Sequence, residues 1–283
     1  MKYTCPAPAK LNLFLQITGR RADGYHELQS VFQFIDLQDE ITFRSRDDQR
    51  IVRATDWSDI PVENDLVMRA ANVLAQGHEI PHGIDIDVTK RIPLGAGLGG
   101  GSSDAATVLY ALNRIWGLQL DTGQLAELGL SLGADVPVFI HGHAAWAEGV
   151  GEILTPVSPP EAWYLLVVPP IHVSTAAVFQ HPALTRNSAP IRISDFLEGA
   201  AYNTLEPVVR QVYPEIDACI SWLEQFGRPM LTGTGAGAFI AVDSELTARD
   251  LAAKVPETWQ PFTVKGMNRN PLLDSFEKLH NGV

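Results

Sequence analysis

The chain has 283 residues, enough for two ordinary domains or one large one, and its 46% hydrophobic and 19% charged residues describe a globular protein. A net charge of −12 argues against a broad nucleic-acid surface, so an anionic substrate would need basic groups gathered locally. The two cysteines, Cys5 and Cys219, stand far apart outside any CxxC pair, which argues against a disulfide framework or a zinc–thiolate site and fits a reducing compartment.

The N-terminus, MKYTCPAPAKLNLFL, carries prolines where a signal peptide would be apolar. Residues 9 to 17, AKLNLFLQI, alternate: Leu11, Leu13, Leu15 and Ile17 face one way, and Lys10, Asn12, Phe14 and Gln16 the other. That spacing predicts a half-buried strand. A polar loop with an Asp23-Gly24 turn follows, then strands over 31–37 and 40–45, a helix over 65–76 and a strand over 84–92. Residues 91 to 112, RIPLGAGLGGGSSDAATVLYAL, put five glycines within seven positions, followed by a helical repeat from Ala105 to Trp116. The next helix starts at the N-cap Asp121, with Gln124 completing a capping box and Gly133 closing it. VPVFI and AAWAEGV read as strands, and TPVSPPE at 155–161 is the best linker. Beyond it come a buried strand WYLLVV, a proline-rich stretch over 169–192, a mostly helical 204–227, a strand–glycine turn–strand over 231–242, a helix and a last strand. The longest apolar runs are too short to span a bilayer, so a cytoplasmic protein with no membrane partner is expected. Strands and helices mix without strict alternation, which predicts an α+β fold. The sequence does not fix an oligomeric state.

Three readings of the glycine loop compete. Gly95-Ala96-Gly97-Leu98-Gly99-Gly100 matches GxGxxG, but the only acidic residue near the required distance, Asp121, serves better as a helix cap. A Walker loop needs a lysine before its Ser/Thr, and none is there. A phosphate cradle of another kind fits best. Glycines admit close approach and positive φ, a helix N-terminus offers free N–H groups, and Ser102 and Ser103 add hydroxyls.

With this loop, the segments PAKLNLFLQI and LTGTGAGAF resemble the three motifs of the small-molecule kinases named after galactose, homoserine, mevalonate and phosphomevalonate. RADGYHEL, KRIPLGAGLGGGSSDAA and LGADVPVF resemble the branch whose substrate carries a cytidine diphosphate group. The resemblance runs from about residue 6 to about residue 267. It implies a two-lobed fold with mixed sheets, a lobe boundary between 1–156 and 157–283, and a catalytic cleft between the lobes. It also implies ATP as co-substrate with Mg²⁺, and transfer of the γ-phosphate to a 2-hydroxyl.

By the same resemblance, Asp135 faces the acceptor hydroxyl as base and Lys10 stands beside it. A carboxylate with a reference pKa of about 3.9 is a weak base for an alcohol, so late proton transfer or orientation is its expected part. Leu66, Lys90, Leu94, Gly95, Ala96, Gly97, Leu98, Gly99, Gly100, Gly101, Ser102, Ser103 and Asp104 fall to ATP. Asn12 and Thr175 fall to the polyol, and Tyr25, His26 and Phe179 to the cytidine end. The second glycine turn, Gly233, Gly235 and Gly237, falls beside the transferring phosphate. The family commonly has Asn-Leu at the adenine position, where this chain reads Asn64-Asp65-Leu66. Metal ligands are not located: His141 and His143 would share a face on a strand but lack a third ligand, and Ser103 is a candidate only. Lys10, Lys90, Arg20, Arg21 and the helix N-terminus are expected to make a positive cleft in a negative protein.

Overall fold

Two long strands organise the molecule. In the computed structural model, which describes residues 1–54 and 61–275, β1 (Lys2–Arg20) and β2 (His26–Ser45) form an antiparallel ribbon running from Lys2↔Arg44 to Arg20↔His26. The expected break between 37 and 40 is absent: Gln38 and Asp39 stay in the ladder opposite Pro8 and Ala7. The register shifts at Pro8/Ala9, Asn12/Phe14 and Ile17/Gly19 instead. Such shifts bend and twist a strand, and here they let one ribbon serve three apolar clusters in turn. Cys5 and Ala7 lie in the first, Ala9, Leu11, Leu13 and Phe14 in the second, and Leu15 and Ile17 in the third. The alternation in β1 predicted one wet face. Both faces are covered, and Lys10 is only 3% exposed.

The first cluster fills the space between β2, β3 (Ile51–Arg53) and β4 (Ile84–Thr89) on one side and α1 (Leu66–Gln76), α2 (Gly100–Ile115) and α3 (Thr122–Leu132) on the other. The sheet order is β3-β4-β2-β10-β7-β9-β8, with β1 and the short β5 (Ala145–Glu148) pairing β2, and β6 (Ile153–Pro156) pairing β5. β7 is Trp163–Val168, β8 is Met230–Leu231, β9 is Ala238–Val242 and β10 is Gln260–Met267. Among the described residues β10 meets β2 only at Gly266↔Ile35 and Met267↔Phe34, so a mixed sheet, in which β3 pairs β4 in parallel, and an antiparallel one are joined at one corner. After β10 the chain returns to the first cluster: Ala144 N–H donates to Asn268 O over 2.9 Å, and Leu272 is fully buried there. The α+β expectation is met.

The capping signals of α3 hold in the structure. Asp121 and Gln124 form the capping box of α3, and Gly133 closes it. Two other segments differ from expectation. VPVFI is not a strand but most of α4 (Val136–His141). A short buried apolar run carries no period that separates strand from helix. Pro137 sits in the first turn, where its missing N–H costs nothing, and Gly142 ends the helix at φ +70°. The helical stretch 204–227 is two helices, α7 (Glu206–Val212) and α8 (Pro214–Leu223). Pro214 has no N–H to extend α7 and opens α8 instead. The remaining helices are α5 (Thr175–Gln180), α6 (Ile193–Leu197) and α9 (Glu245–Ala252). Among the described residues no helix is long and apolar enough to cross a membrane.

Candidate active site

The glycine loop lies where the ribbon, α2 and the second glycine turn meet. Gly95, Gly97 and Gly99 take φ of +70°, +74° and +70°, the left-handed region that glycine enters without a Cβ penalty. Gly97 also lies against another backbone: a Cβ there would stand 2.1 Å from Thr232 O. The contact continues as a short ladder, with Ala236 N donating to Gly95 O over 3.1 Å and Gly237 N to Ala96 O over 3.0 Å. The two glycine segments, about 140 positions apart, are thus one backbone structure. From it α2 begins at Gly100, and its first N–H groups have no acceptor within the helix. They and the helix dipole favour an anion. Ser102 is partly open to this mouth, whereas Ser103 is fully buried and its Oγ has no hydrogen-bond partner among the described residues. Leu94 is exposed at the loop, and Leu66 lies against Gly101.

Lys10 reaches this structure from the middle of β1. Its Nζ donates to Asn12 Oδ1 at 2.6 Å and to Gly97 O at 3.0 Å, lies 3.5 Å from Asp135 Oδ2, and stands over the Phe32 ring. Asn12 is held in turn, donating Nδ2–H to Ser30 Oγ at 2.7 Å and its backbone N–H to Thr232 Oγ1 at 3.1 Å. Asp135 is at the N-cap of α4, yet its side chain caps nothing. A buried ammonium is therefore fixed between the glycine loop and a half-exposed carboxylate.

Lys90 is placed differently from the expected free cation. Its ammonium bonds both Asp39 and Asp104, the latter at 2.7 Å. Asp39, fully buried, also accepts from Ile92 N at 2.8 Å. Burial alone would lower the Lys90 pKa, but the two carboxylates more than offset it and the net movement is upward. The Asp104 carboxyl also moves up, to about 7, because burial outweighs the pull of Lys90. One oxygen meets Lys90, while Oδ1 has no partner among the described residues. This triad braces the strand–loop–helix junction. Arg21 is likewise paired, with Asp23 at 3.0 Å. The expected positive cleft thus rests on fewer charges than the sequence counted. Asp65 caps α1: its carboxylate accepts from Val67 N at 2.9 Å and pairs with Arg53 at 3.1 Å.

A second cleft, of about 820 Å³, opens beside Asp135, with Ala134 in its wall. Arg20, Tyr25, His26, Thr175 and Phe179 line it, so the residues expected at the cytidine end come together. The His26 and Phe179 rings are 5.1 Å apart, Tyr25 is 64% exposed, and Thr175 Oγ1 meets Thr234 Oγ1 of the second glycine turn at 2.9 Å. His26 is held below its ordinary pKa, by burial first and then by Arg186 and Arg20. His141 and His143 lie elsewhere, at the end of α4, and no group of three metal-binding side chains is present among the described residues.

Sequence reasoning missed Asp39, Thr232 and Arg186. Asp39 sits in a run, QDE, that reads as a turn, and only the ladder shows it inside. Thr232 lies in LTGTGAGAF, where the glycines carry the signal and nothing in the spacing marks the threonine. Arg186 lies in a proline-rich stretch with no periodicity.

A glycine-loop helix N-terminus, a lysine–carboxylate pair and a neighbouring cleft are what a phosphoryl-transfer site needs. The models for the GHMP kinases N terminal domain and the GHMP kinases C terminal region match residues 65–143 and 182–260. A 4-diphosphocytidyl-2-C-methyl-D-erythritol kinase from Nitrosococcus oceani is 52% identical, covering 96% of this chain and 98% of its own. One from Thiobacillus denitrificans is 49% identical, covering 97% and 99%. A crystal structure of 4-(cytidine 5'-diphospho)-2C-methyl-D-erythritol kinase superposes with a TM-score of 0.81 at 31% identity, over 94% of this chain and 99% of that one. A mevalonate kinase structure, at 17% identity and a TM-score of 0.69, shares the fold. The chain belongs to the GHMP kinases and, within them, to the family of 4-diphosphocytidyl-2-C-methyl-D-erythritol kinases.

Proposed function

We propose that the chain transfers the γ-phosphate of ATP to the 2-hydroxyl of 4-diphosphocytidyl-2-C-methyl-D-erythritol, in a reducing, cytoplasmic compartment. The observation that carries this reading is the Lys10–Asp135 pair, fixed between a phosphate-binding helix N-terminus and a cleft lined by aromatic rings. The two free cysteines are buried, which suits that compartment.

ATP's phosphates lie on residues 94–104, against the free N–H groups of α2. Leu66 borders the adenine. The acceptor hydroxyl sits between Lys10 and Asp135, with Asn12 and Thr175 toward the polyol and the pyrimidine between Tyr25 and Phe179. The hydroxyl oxygen attacks the γ-phosphorus, ADP departs, and the hydroxyl proton passes to Asp135 late in the step. Lys10 neutralises charge on the moving phosphoryl group, and its ties to Asn12 and Gly97 hold it there before substrate arrives. Magnesium would arrive with ATP and be held mainly by phosphate oxygens, since the described residues form no cage of their own. Ser103 Oγ, unpartnered at the first turn of α2, is the protein's candidate ligand.

ADP release, measured with the cytidyl acceptor and with homoserine and mevalonate as controls, tests this. Release with the cytidyl acceptor alone, lost in Asp135→Asn, is expected. Release with a control acceptor would refute the base cleft. No release from folded protein that binds ATP would refute catalysis.

A further inference from the structure

Among the described residues Arg186 makes four hydrogen bonds. Its guanidinium donates to Leu184 O at 3.1 Å, to Phe179 O at 2.9 Å and to His181 O at 2.8 Å. The fourth, from Nε, goes to His26 Nε2 at 3.2 Å. Three carbonyls thus fix the guanidinium plane, which leaves Nε aimed at one ring nitrogen. Arginine has donors only and stays charged. His26 Nε2 must therefore be the acceptor, which makes the ring neutral and places its proton on Nδ1. The lowered His26 pKa, from burial, Arg186 and Arg20, agrees with a neutral ring. Among the described residues no other hydrogen bond to this ring is present, so the Nδ1–H stays available in the cleft that the ring lines.

We infer that Arg186 is a positioning residue that locks His26 as an Nδ1–H donor and thereby selects cytosine over uracil. The inference rests on the functional reading above and deepens it. Cytosine offers an unprotonated N3 beside its O2, and both accept. Uracil carries a hydrogen on N3. A ring free to exchange its tautomer would serve either base, whereas a ring fixed as a donor faces a second donor in uracil. Arg186 also holds the carbonyl of Phe179, so the stacking ring and the donor share one anchor.

The test compares binding of CDP and UDP by calorimetry to the full chain, to Arg186→Met and to Arg186→Lys, alongside long-range ¹H–¹⁵N spectra of the histidine rings. The wild type is expected to prefer CDP by about tenfold or more. That ratio should fall to within about threefold in both variants, because lysine keeps the charge but not the planar fork. In Arg186→Met the KM for the cytidyl acceptor should rise about tenfold with kcat near wild type. The wild-type spectra should show His26 protonated on Nδ1 alone. A proton on Nε2 in the wild type would overturn the inference without any variant. So would an undiminished CDP preference in folded Arg186→Met. If the wild type binds neither nucleotide, the functional reading fails and base selection with it, while the nitrogen shifts still decide the tautomer.

Discussion

The two halves of the site are built from different material. The phosphate half is backbone and buried charge: two glycine segments laddered together, and Lys10 and Lys90 each held by acceptors inside the protein. The base half is side chains on a polar loop and on the short α5, with Tyr25 largely in solvent. Phosphate is recognised by N–H groups and fixed charge, which work only if the backbone is already in place. A pyrimidine is recognised by ring faces, which tolerate movement. Damage to the first half should therefore appear in turnover or in the fold, and damage to the second in affinity.

The largest expected effect is on turnover. Asp135→Asn should lower kcat by about 10²–10⁴-fold, the usual worth of a positioned acid–base group. Its circular dichroism and Tm should stay near wild type, because the side chain caps no N–H groups. A variant that keeps most of its activity would move the base assignment elsewhere. Next comes a pair of alanines, one in each half. Gly97→Ala meets Thr232 O at 2.1 Å and Gly24→Ala meets nothing within 4 Å, although both glycines have positive φ. Both carry a conformational cost of about 1–2 kcal/mol. Only Gly97→Ala must also part the two glycine segments, so urea unfolding should show a clearly larger loss for it. Equal losses would break the contrast between the halves.

Much of this was legible in the sequence, and the reason differs by region. The glycine loop and the cap of α3 stand in short motifs where each residue type has a local physical reason, whereas Lys10 and Asp135 are reached through the resemblance of their motifs to a family. Glycine is needed at positive φ, and Asp121 with Gln124 makes a cap over four residues. What stayed hidden depends on register and long-range packing. The burial of Asp39 follows from its ladder position opposite Ala7, and the tie of Arg186 to His26 joins residues 160 positions apart. VPVFI misled because five apolar residues have no period, and only packing on α2 and α3 decides that they coil.

Smaller effects sharpen the base half. Tyr25→Ala and Phe179→Ala should each weaken the cytidyl acceptor by about 1–3 kcal/mol of stacking, read as a raised KM with kcat largely kept. A fall in kcat with KM unchanged would mean that the rings help to align the reacting groups rather than only to bind.

The remaining effect concerns the Lys90 triad and depends on pH. Burial raises the Asp104 carboxyl from 3.8 to about 7. Between those values the folded protein keeps a proton that the unfolded chain has released. Stability from this group is therefore lost as pH rises through that window. Asp104→Asn cannot ionise and keeps Asp39 as the partner of Lys90. The Tm of the wild type relative to Asp104→Asn should accordingly decline between about pH 4 and pH 7. A difference that stays flat over that range would mean that Lys90 keeps Asp104 ionised throughout, as it is in the unfolded chain. The junction would then be held by three full charges, and the phosphate half would owe its rigidity to ion pairing more than to its interlocked glycines.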